Sequence, residues 1–136
     1  MAIKSDIINV NVIGVVVNMS EIVLSAVDPF GRVVTLTQAA WIAHILDSHP
    51  EMRGNENAVK DTIENPDFIY RSNYKESSEL FFSKSLESTY PNLYIRVVVD
   101  FTQPNAGIVK TALFTKVISQ NVKQGGLVYD RTNAQI

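Results

Sequence analysis

Both histidines of the chain, His44 and His49, lie five positions apart in the stretch WIAHILDSHPEM. Imidazole gains and loses a proton near neutral pH, so it suits a general acid or base. Each histidine also has a structural interpretation, His44 as a residue on the surface of a helix and His49 as a group that contacts the last carbonyls of that helix. The residues alone leave both interpretations open.

A metal site is a poor interpretation of these two histidines. Zinc-binding histidines on a helix lie at i and i+4, whereas a spacing of five residues separates them by roughly 140° around an ideal helix. Pro50 also pushes His49 out of helical geometry. The chain has no cysteine and no third histidine, so carboxylates would have to complete the site. We therefore expect neither a metal nor a cofactor.

Four residues on predicted strands carry groups that bind phosphate or form hydrogen bonds: Lys84, Arg96, Thr111 and Thr115. The two threonines lie four positions apart, so they share one face of their strand. Lys84 and Arg96 also have a structural interpretation: they could lie on a solvated face of the sheet, or form a cross-strand ion pair with Glu79 or Asp100. The register of the strands decides whether these groups meet, and the sequence does not reveal it.

The composition restricts the class of protein. With 136 residues, 46% of them hydrophobic and 19% charged, the chain is expected to form one globular domain, 1–136. A net charge of −2 disfavours broad coating of nucleic acid, because such proteins usually carry a basic excess. No apolar run reaches the length of a membrane span, and no signal-peptide pattern is present. We expect a cytoplasmic protein that has no membrane partner.

The pattern of apolar residues predicts an α+β fold. Residues 7–18, 21–27 and 32–36 predict an N-terminal β-meander, with a Pro-Gly turn in VDPFGRV. Two helices follow, over 38–48 with Thr37 as its cap and over 55–64. Trp41, Ile42, Ile45 and Leu46 form the predicted apolar stripe of the first helix.

The second half of the chain predicts mainly strands: 67–71, 79–84, 93–101 and 107–118, with an edge strand in KQGGLVYD. The clearest alternation is in LYIRVVVDF, where Leu93, Ile95, Val97, Val99 and Phe101 share one face. TQPNAG predicts the hairpin loop that follows. We expect a mostly antiparallel sheet of four to five strands packed against the helices.

The order of these segments resembles the phage-associated branch of the Barnase–EndoU–colicin–RelE nuclease fold. The resemblance covers residues 32–118 and rests on VVTLTQAAWIAHILDSHPEM, AVKDTIENPDFIYRS, LFFSK, LYIRVVVDF and GIVKTALFTKVIS. It implies a nuclease-fold core over 32–118 and leaves 1–31 as an N-terminal β extension.

The resemblance implies a toxin-like ribonuclease of phage or mobile-element type that cuts RNA without a metal. A base would activate the ribose 2′-hydroxyl to attack the adjacent phosphate, and an acid would protonate the leaving 5′-oxygen. His44 or His49 would be base or acid, Lys84 and Arg96 would hold the phosphate, and Thr111 and Thr115 would donate hydrogen bonds to it.

Other outcomes remain open. The same fold could serve as a non-catalytic protein-binding module, since a fold does not dictate a function. The implied partners are RNA and an antitoxin-like or immunity protein. Residues 1–31 could add an extra sheet or mediate dimerisation through the N-terminal strands.

Overall fold

Nine strands, a π-helix, a 3₁₀ turn and an α-helix make up the part of the chain that the computed structural model describes, residues 9–12, 15–85 and 93–133. The first four strands are β1 (Asn9–Val12), β2 (Val15–Asn18), β3 (Ile22–Val27) and β4 (Val33–Thr37). The helical region contains the π-helix (Ala40–Leu46), the 3₁₀ turn (Pro50–Met52) and helix α1 (Glu56–Glu64). The remaining strands are β5 (Phe68–Ser72), β6 (Ser78–Lys84), β7 (Tyr94–Gln103), β8 (Ala106–Thr115) and β9 (Val122–Asp130).

The α+β class is confirmed, but the main sheet is larger than the sequence suggested. It has seven strands rather than four or five, in the order β3-β4-β8-β7-β6-β5-β9. The two additional strands come from the N-terminal part, because the β3–β4 hairpin joins β8 through a parallel pairing of Val33 with Ala106. Strand β3, expected in a separate extension, is therefore an edge of the main sheet. β1 and β2 form their own two-stranded hairpin.

One face of the sheet, here called the inner face, carries the main hydrophobic core. The alternation predicted for β7 is confirmed, since Ile95, Val97 and Val99 are buried on this face. Helix α1 adds Val59 and Ile63, both fully buried. Burial of apolar side chains such as these is the dominant favourable contribution to folding.

The sheet curls so strongly that its two edges approach each other. Phe30, in the turn between β3 and β4, packs edge-to-face on Tyr129 of β9, with ring centroids 5.9 Å apart. These strands are at opposite ends of the sheet order. Gly31 has a φ of +79° and closes the turn that presents Phe30, as the Pro-Gly pattern predicted.

The first helix begins where the sequence predicts it but is wound differently. Thr37 Oγ1 accepts a hydrogen bond from the backbone N–H of Ala40 at 3.2 Å. The interior is a π-helix, whose i→i+5 bonding widens each turn. Trp41 and Ile45 consequently share the buried side, whereas Ile42 is turned outward and is 38% exposed. The prediction that Ile42 belongs to the core stripe is wrong, because it assumed α-helical spacing.

The opposite face of the sheet, here called the outer face, is crossed by the chain between β8 and β9. β8 ends at Thr115 and β9 begins by pairing Val122 with Ser72, on the far side of β7, β6 and β5. Residues 116–121, here called the strap, make this crossing. The carbonyl of Gln120 accepts a hydrogen bond from Arg96 Nη1, which points from the outer face. Beside it, Leu80 and Phe82 are buried.

Gly107 lies on the inner face where β8 passes close to β7. An added Cβ would lie 2.6 Å from Val99 Cγ1 and 2.7 Å from Phe101 Cε1, well inside van der Waals contact. We expect Gly107→Ala to lower the free energy of unfolding by about 1–3 kcal/mol, through overpacking. Urea denaturation measures this loss. Phe101→Leu in the same chain should recover part of it, and an undiminished stability of the single variant would contradict the predicted clash.

No helix in the described ranges is long and apolar enough to span a bilayer.

Candidate active site

The register places four of the predicted site residues on the outer face. Lys84 and Thr115 both pair with Tyr94, from β6 and β8 respectively. Arg96 is two positions after Tyr94 on β7, and Thr111 pairs with Val98, which is four positions after Tyr94. Residues at even spacing on a strand, and their direct cross-strand partners, are on the same face. The structure therefore answers the question of orientation: these four side chains share a face.

Sharing a face does not make them one site. Arg96 is only 8% exposed beneath the strap. Thr115 Oγ1 is engaged locally, since it donates to the carbonyl of Val117 at 3.0 Å and accepts from the Val117 N–H at 3.1 Å. Lys84 is exposed at the end of β6 and lines a separate cavity of about 410 Å³ beside the first turn of α1.

The cross-strand ion pairs considered for Lys84 and Arg96 are not formed. Glu79 instead binds Arg32, and Asp100 binds Lys75. Lys84 uses its backbone N–H to donate to Asp67 Oδ2 at 2.8 Å. Within the described part of the chain, neither Lys84 nor Arg96 therefore forms an ion pair with a carboxylate.

His44 lies in a different place, at the junction of the π-helix and β8. It is exposed and lines a surface hollow of about 260 Å³. The other residues that line the hollow are Thr37, Ala39, Ala40, Ile108, Val109 and Lys110. A base and a cation thus border one small space, here called the His44–Lys110 hollow.

Two irregularities of the backbone create this hollow. Val98 pairs with Thr111 and Val99 pairs with Val109, so Lys110 is the extra residue of a β-bulge. The π-helix, also an irregular element, carries His44. Both kinds of irregularity are common near functional sites, since they redirect side chains out of a regular pattern.

His49 is just past the end of the helical turns, as Pro50 predicted. Its backbone N–H donates to the carbonyl of Ile45 at 2.6 Å, and its φ and ψ of −135° and 69° are not helical. Its Nδ1 is 3.7 Å from Glu51 Oε2, which is a loose contact. His49 is not among the residues that line the His44–Lys110 hollow.

Asp100 is the centre of a polar cluster on the outer face. Its Oδ2 accepts from Lys75 Nζ at 2.7 Å and its Oδ1 accepts from Ser77 Oγ at 2.5 Å. The hydrogen bond from Lys75 is the largest cause of a lowered pKa of Asp100, followed by that from Ser77, and together with the charges of Lys75 and Lys110 they outweigh burial, which raises this pKa.

This lowered pKa predicts a pH-dependent contribution to stability. Because the pKa of Asp100 is lower in the folded chain than in the unfolded chain, the stabilisation is complete at neutral pH and is lost on acidification below about pH 4. Asp100→Asn should be less stable than the wild type at pH 7, and the difference should shrink as the pH falls. Urea denaturation at several pH values measures it; a difference that stays constant down to pH 2 would contradict this role for Asp100.

Arg32 anchors the β3–β4 turn to the middle of the sheet. Its Nε donates to Asp28 Oδ2 at 2.7 Å, and its Nη2 donates to Glu79 Oε1 at 2.7 Å. Its guanidinium carbon lies 3.8 Å from the centroid of the Phe101 ring. Burial lowers the pKa of Arg32, but the hydrogen bonds to Glu79 and Asp28 outweigh it and raise this pKa above the ordinary value.

Sequence reasoning missed Lys110 and Arg32. Strict alternation along 107–118 would have placed Lys110 on the apolar face with Ala112 and Phe114, and a charge at such a position was a usable signal. Nothing local marked Arg32, because its partner Glu79 is 47 residues away.

Within the described ranges, no three histidine or carboxylate side chains are grouped as a metal site would require. Comparison with known proteins adds no relative: no protein-family model, no curated protein and no solved structure matches this chain.

Proposed function

We propose that this protein cleaves RNA without a metal, by attack of the ribose 2′-hydroxyl on the adjacent phosphate, at the His44–Lys110 hollow. The observation that carries the proposal is that His44, on the π-helix, and Lys110, at the β-bulge, are both exposed and line the same hollow. The resemblance of residues 32–118 to a phage-associated nuclease branch supports the same chemistry.

The proposed roles follow from the chemistry of each group. His44 takes the proton of the 2′-hydroxyl, whose oxygen then bonds to phosphorus while the bond from phosphorus to the 5′-oxygen breaks. Lys110 stabilises the negative charge that develops on the phosphate and donates a proton to the leaving 5′-oxygen. The products are a 2′,3′-cyclic phosphate and a free 5′-hydroxyl.

In this proposal the cation that binds the phosphate is Lys110, not Lys84 or Arg96 as the resemblance implied. Arg96 is buried on the outer face, and Lys84 lines a different cavity. Thr111, Thr115 and His49 are not among the residues that line the hollow. Thr37 is the threonine that borders the hollow, although its hydroxyl already accepts the N–H of Ala40.

The purified protein should cleave a single-stranded RNA in EDTA and leave a 2′,3′-cyclic phosphate. The same oligonucleotide with a 2′-deoxy residue at the cut position should resist cleavage, because the attacking hydroxyl is missing. Gel electrophoresis and mass spectrometry of the products identify both outcomes. Failure to cleave any of a diverse set of RNAs would exclude the proposed activity.

A non-catalytic binding module is the second candidate, and an apolar row on the outer face favours it. Ile22, Val27, Val33 and Ile108 are 43–51% exposed, and Val27 pairs directly with Val33. Contiguous exposed apolar side chains mark interaction surfaces. An antitoxin-like or immunity protein, or a second copy of the chain, is the proposed occupant. In the described part of the chain no strand pairs with the outer edge of β3, which is suited to such contacts.

A further inference from the structure

Tyr74, in the turn between β5 and β6, is the most exposed aromatic side chain among the described residues, at 87% of its full surface. The turn that carries it is nevertheless fixed. Ser72 Oγ accepts the backbone N–H of Tyr74 at 3.0 Å and that of Lys75 at 3.2 Å. The N–H of Asn73 donates to the carbonyl of Asn121 at 2.9 Å. The backbone is therefore held in place while the ring faces water, and both the ring and its hydroxyl can contact a ligand.

Two cationic residues share a surface hollow with this ring. The hollow has a volume of about 580 Å³, is here called the Tyr74 hollow, and is lined by Arg71, Ser72, Asn73, Tyr74, Glu76 and Lys123. Arg71 and Lys123 are exposed, and within the described ranges neither forms an ion pair with a carboxylate. Glu76 is the one acid in the lining, so the cations outnumber the acids in this hollow.

A wide bulge in β9 places Lys123 beside Arg71. β5 and β9 pair on either side of Arg71, but four residues of β9, 123–126, lie opposite Arg71 alone. Gly125 has a φ of +71°, and a Cβ on Gly126 would lie 2.8 Å from the carbonyl oxygen of Lys123. The two glycines of the KQGG motif therefore permit a bulge that larger residues would strain. Bulges redirect side chains, and this one brings a second cation to the hollow.

A short series of contacts joins the Tyr74 hollow to the proposed cleavage site. Lys75, the residue after Tyr74, donates from Nζ to Asp100 Oδ2 at 2.7 Å. Asp100 pairs across the strands with Ile108, which lines the cleavage site. The side chain of Lys75 is 53% exposed and Ile108 is 47% exposed, so this route lies at the surface. An extended ligand at one site can therefore reach the other over the surface.

We propose that the Tyr74 hollow is a second subsite for single-stranded RNA, in which Tyr74 stacks on a base while Arg71 and Lys123 bind the phosphates beside it. This inference rests on the proposed function, because the subsite binds the strand whose phosphodiester is cut at the His44–Lys110 hollow. Stacking on an aromatic side chain requires an unpaired base, and every base has a face that can stack. The subsite therefore selects single strands over duplexes and has little preference for sequence.

The test measures the Kd of a fluorescent single-stranded RNA of about twelve nucleotides, within the usual size of such sites. All its riboses carry 2′-O-methyl groups, so it lacks the attacking hydroxyl. Tyr74→Ala should raise the Kd measured by fluorescence anisotropy about tenfold, the effect of one lost stack. Tyr74→Phe retains the ring and should restore most of the affinity. Annealing the complementary strand should weaken binding to the wild type and remove its advantage over Tyr74→Ala.

The salt dependence of the same Kd tests the cations. Lys123→Met should reduce the slope of log Kd against log salt concentration by about 0.7, since one phosphate contact with a single strand is lost. Arg53→Met is the matched control: Arg53 is exposed and lines neither hollow, so the slope should be unchanged. A wild type that does not bind the methylated RNA, or a Tyr74→Ala variant that binds it equally well, would overturn the proposal.

Cleavage kinetics distinguish failure of the subsite from failure of the cleavage. With a cleavable RNA of the same length, Tyr74→Ala should raise KM about tenfold and leave kcat unchanged, because only binding of the strand is weakened. His44→Ala should lower kcat and leave the Kd of the methylated RNA unchanged. Binding that depends on Tyr74 without any cleavage would reject the proposed activity and retain the subsite. Cleavage with an equal KM in the wild type and Tyr74→Ala would reject the subsite and retain the activity.

Discussion

Replacing His44 by alanine should lower kcat/KM for RNA cleavage by about a thousandfold, the typical contribution of a positioned general base. His44 is the imidazole that lines the hollow with Lys110, and its side chain is exposed. The substitution should therefore remove the base without disturbing the core that Trp41 and Ile45 form on the buried side of the same helix. Cleavage of a fluorescent RNA under kcat/KM conditions measures the loss, and circular dichroism verifies the fold.

Lys110→Met should lower kcat/KM by about a hundredfold, because it removes one group that stabilises charge in the transition state. Lys116→Met is the matched control, since Lys116 is an exposed lysine on the strap and should be dispensable. His49→Ala separates the two histidines: a small effect is expected, because His49 does not line the hollow. Wild-type activity in His44→Ala would contradict the proposed site, whatever the other variants do.

Features of this fold that depend on neighbouring residues could be predicted from the sequence. The Pro-Gly turn before Arg32, the Thr37 cap and the alternation of β7 each depend on a few adjacent side chains, and the structure has them where expected. The position of His49 beyond the helix follows from Pro50 in the same way.

The geometry of the candidate site could not be predicted this way, because it depends on deviations from regular repeats. A period of 3.6 residues places Ile42 in the core and a period of two places Lys110 on the apolar face. The π-helix turns Ile42 outward, and the β-bulge moves Lys110 to the hollow beside His44. The charge of Lys110 on an otherwise apolar strand face was a sign of the bulge, whereas the π-helix had no comparable sign in the sequence.

Long-range topology explains the remaining differences. The parallel pairing of β4 with β8 joins residues more than seventy positions apart, and it converts an expected extension into part of the main sheet. The strap covers Arg96 only because β9 pairs with β5 rather than with its neighbour in sequence. Alternation correctly placed Arg96 opposite the apolar face of β7, but it could not reveal that this second face is covered.

Arg32→Met should lower the free energy of unfolding by about 3 kcal/mol, since removal of one partner leaves a buried charge uncompensated. The side chain of Asp28 is fully buried, and Arg32 is the cation that faces it. The variant also loses the contact of the guanidinium with the Phe101 ring and the connection between the β3–β4 turn and β6. Urea denaturation at pH 7 measures the change.

Arg96→Met provides the internal control for Arg32→Met. Both variants replace an arginine of this sheet by methionine, but the two arginines differ in their ion pairs. Arg32→Met should destabilise and Arg96→Met should stabilise, since the first cation has two carboxylates and the second has none in the described chain. The double variant Arg32→Met/Glu79→Gln should lose less than the sum of the two single changes, because both break the same ion pair. Strict additivity, or equal losses from both arginine variants, would show that the pairing with Glu79 does not determine the stability of this turn.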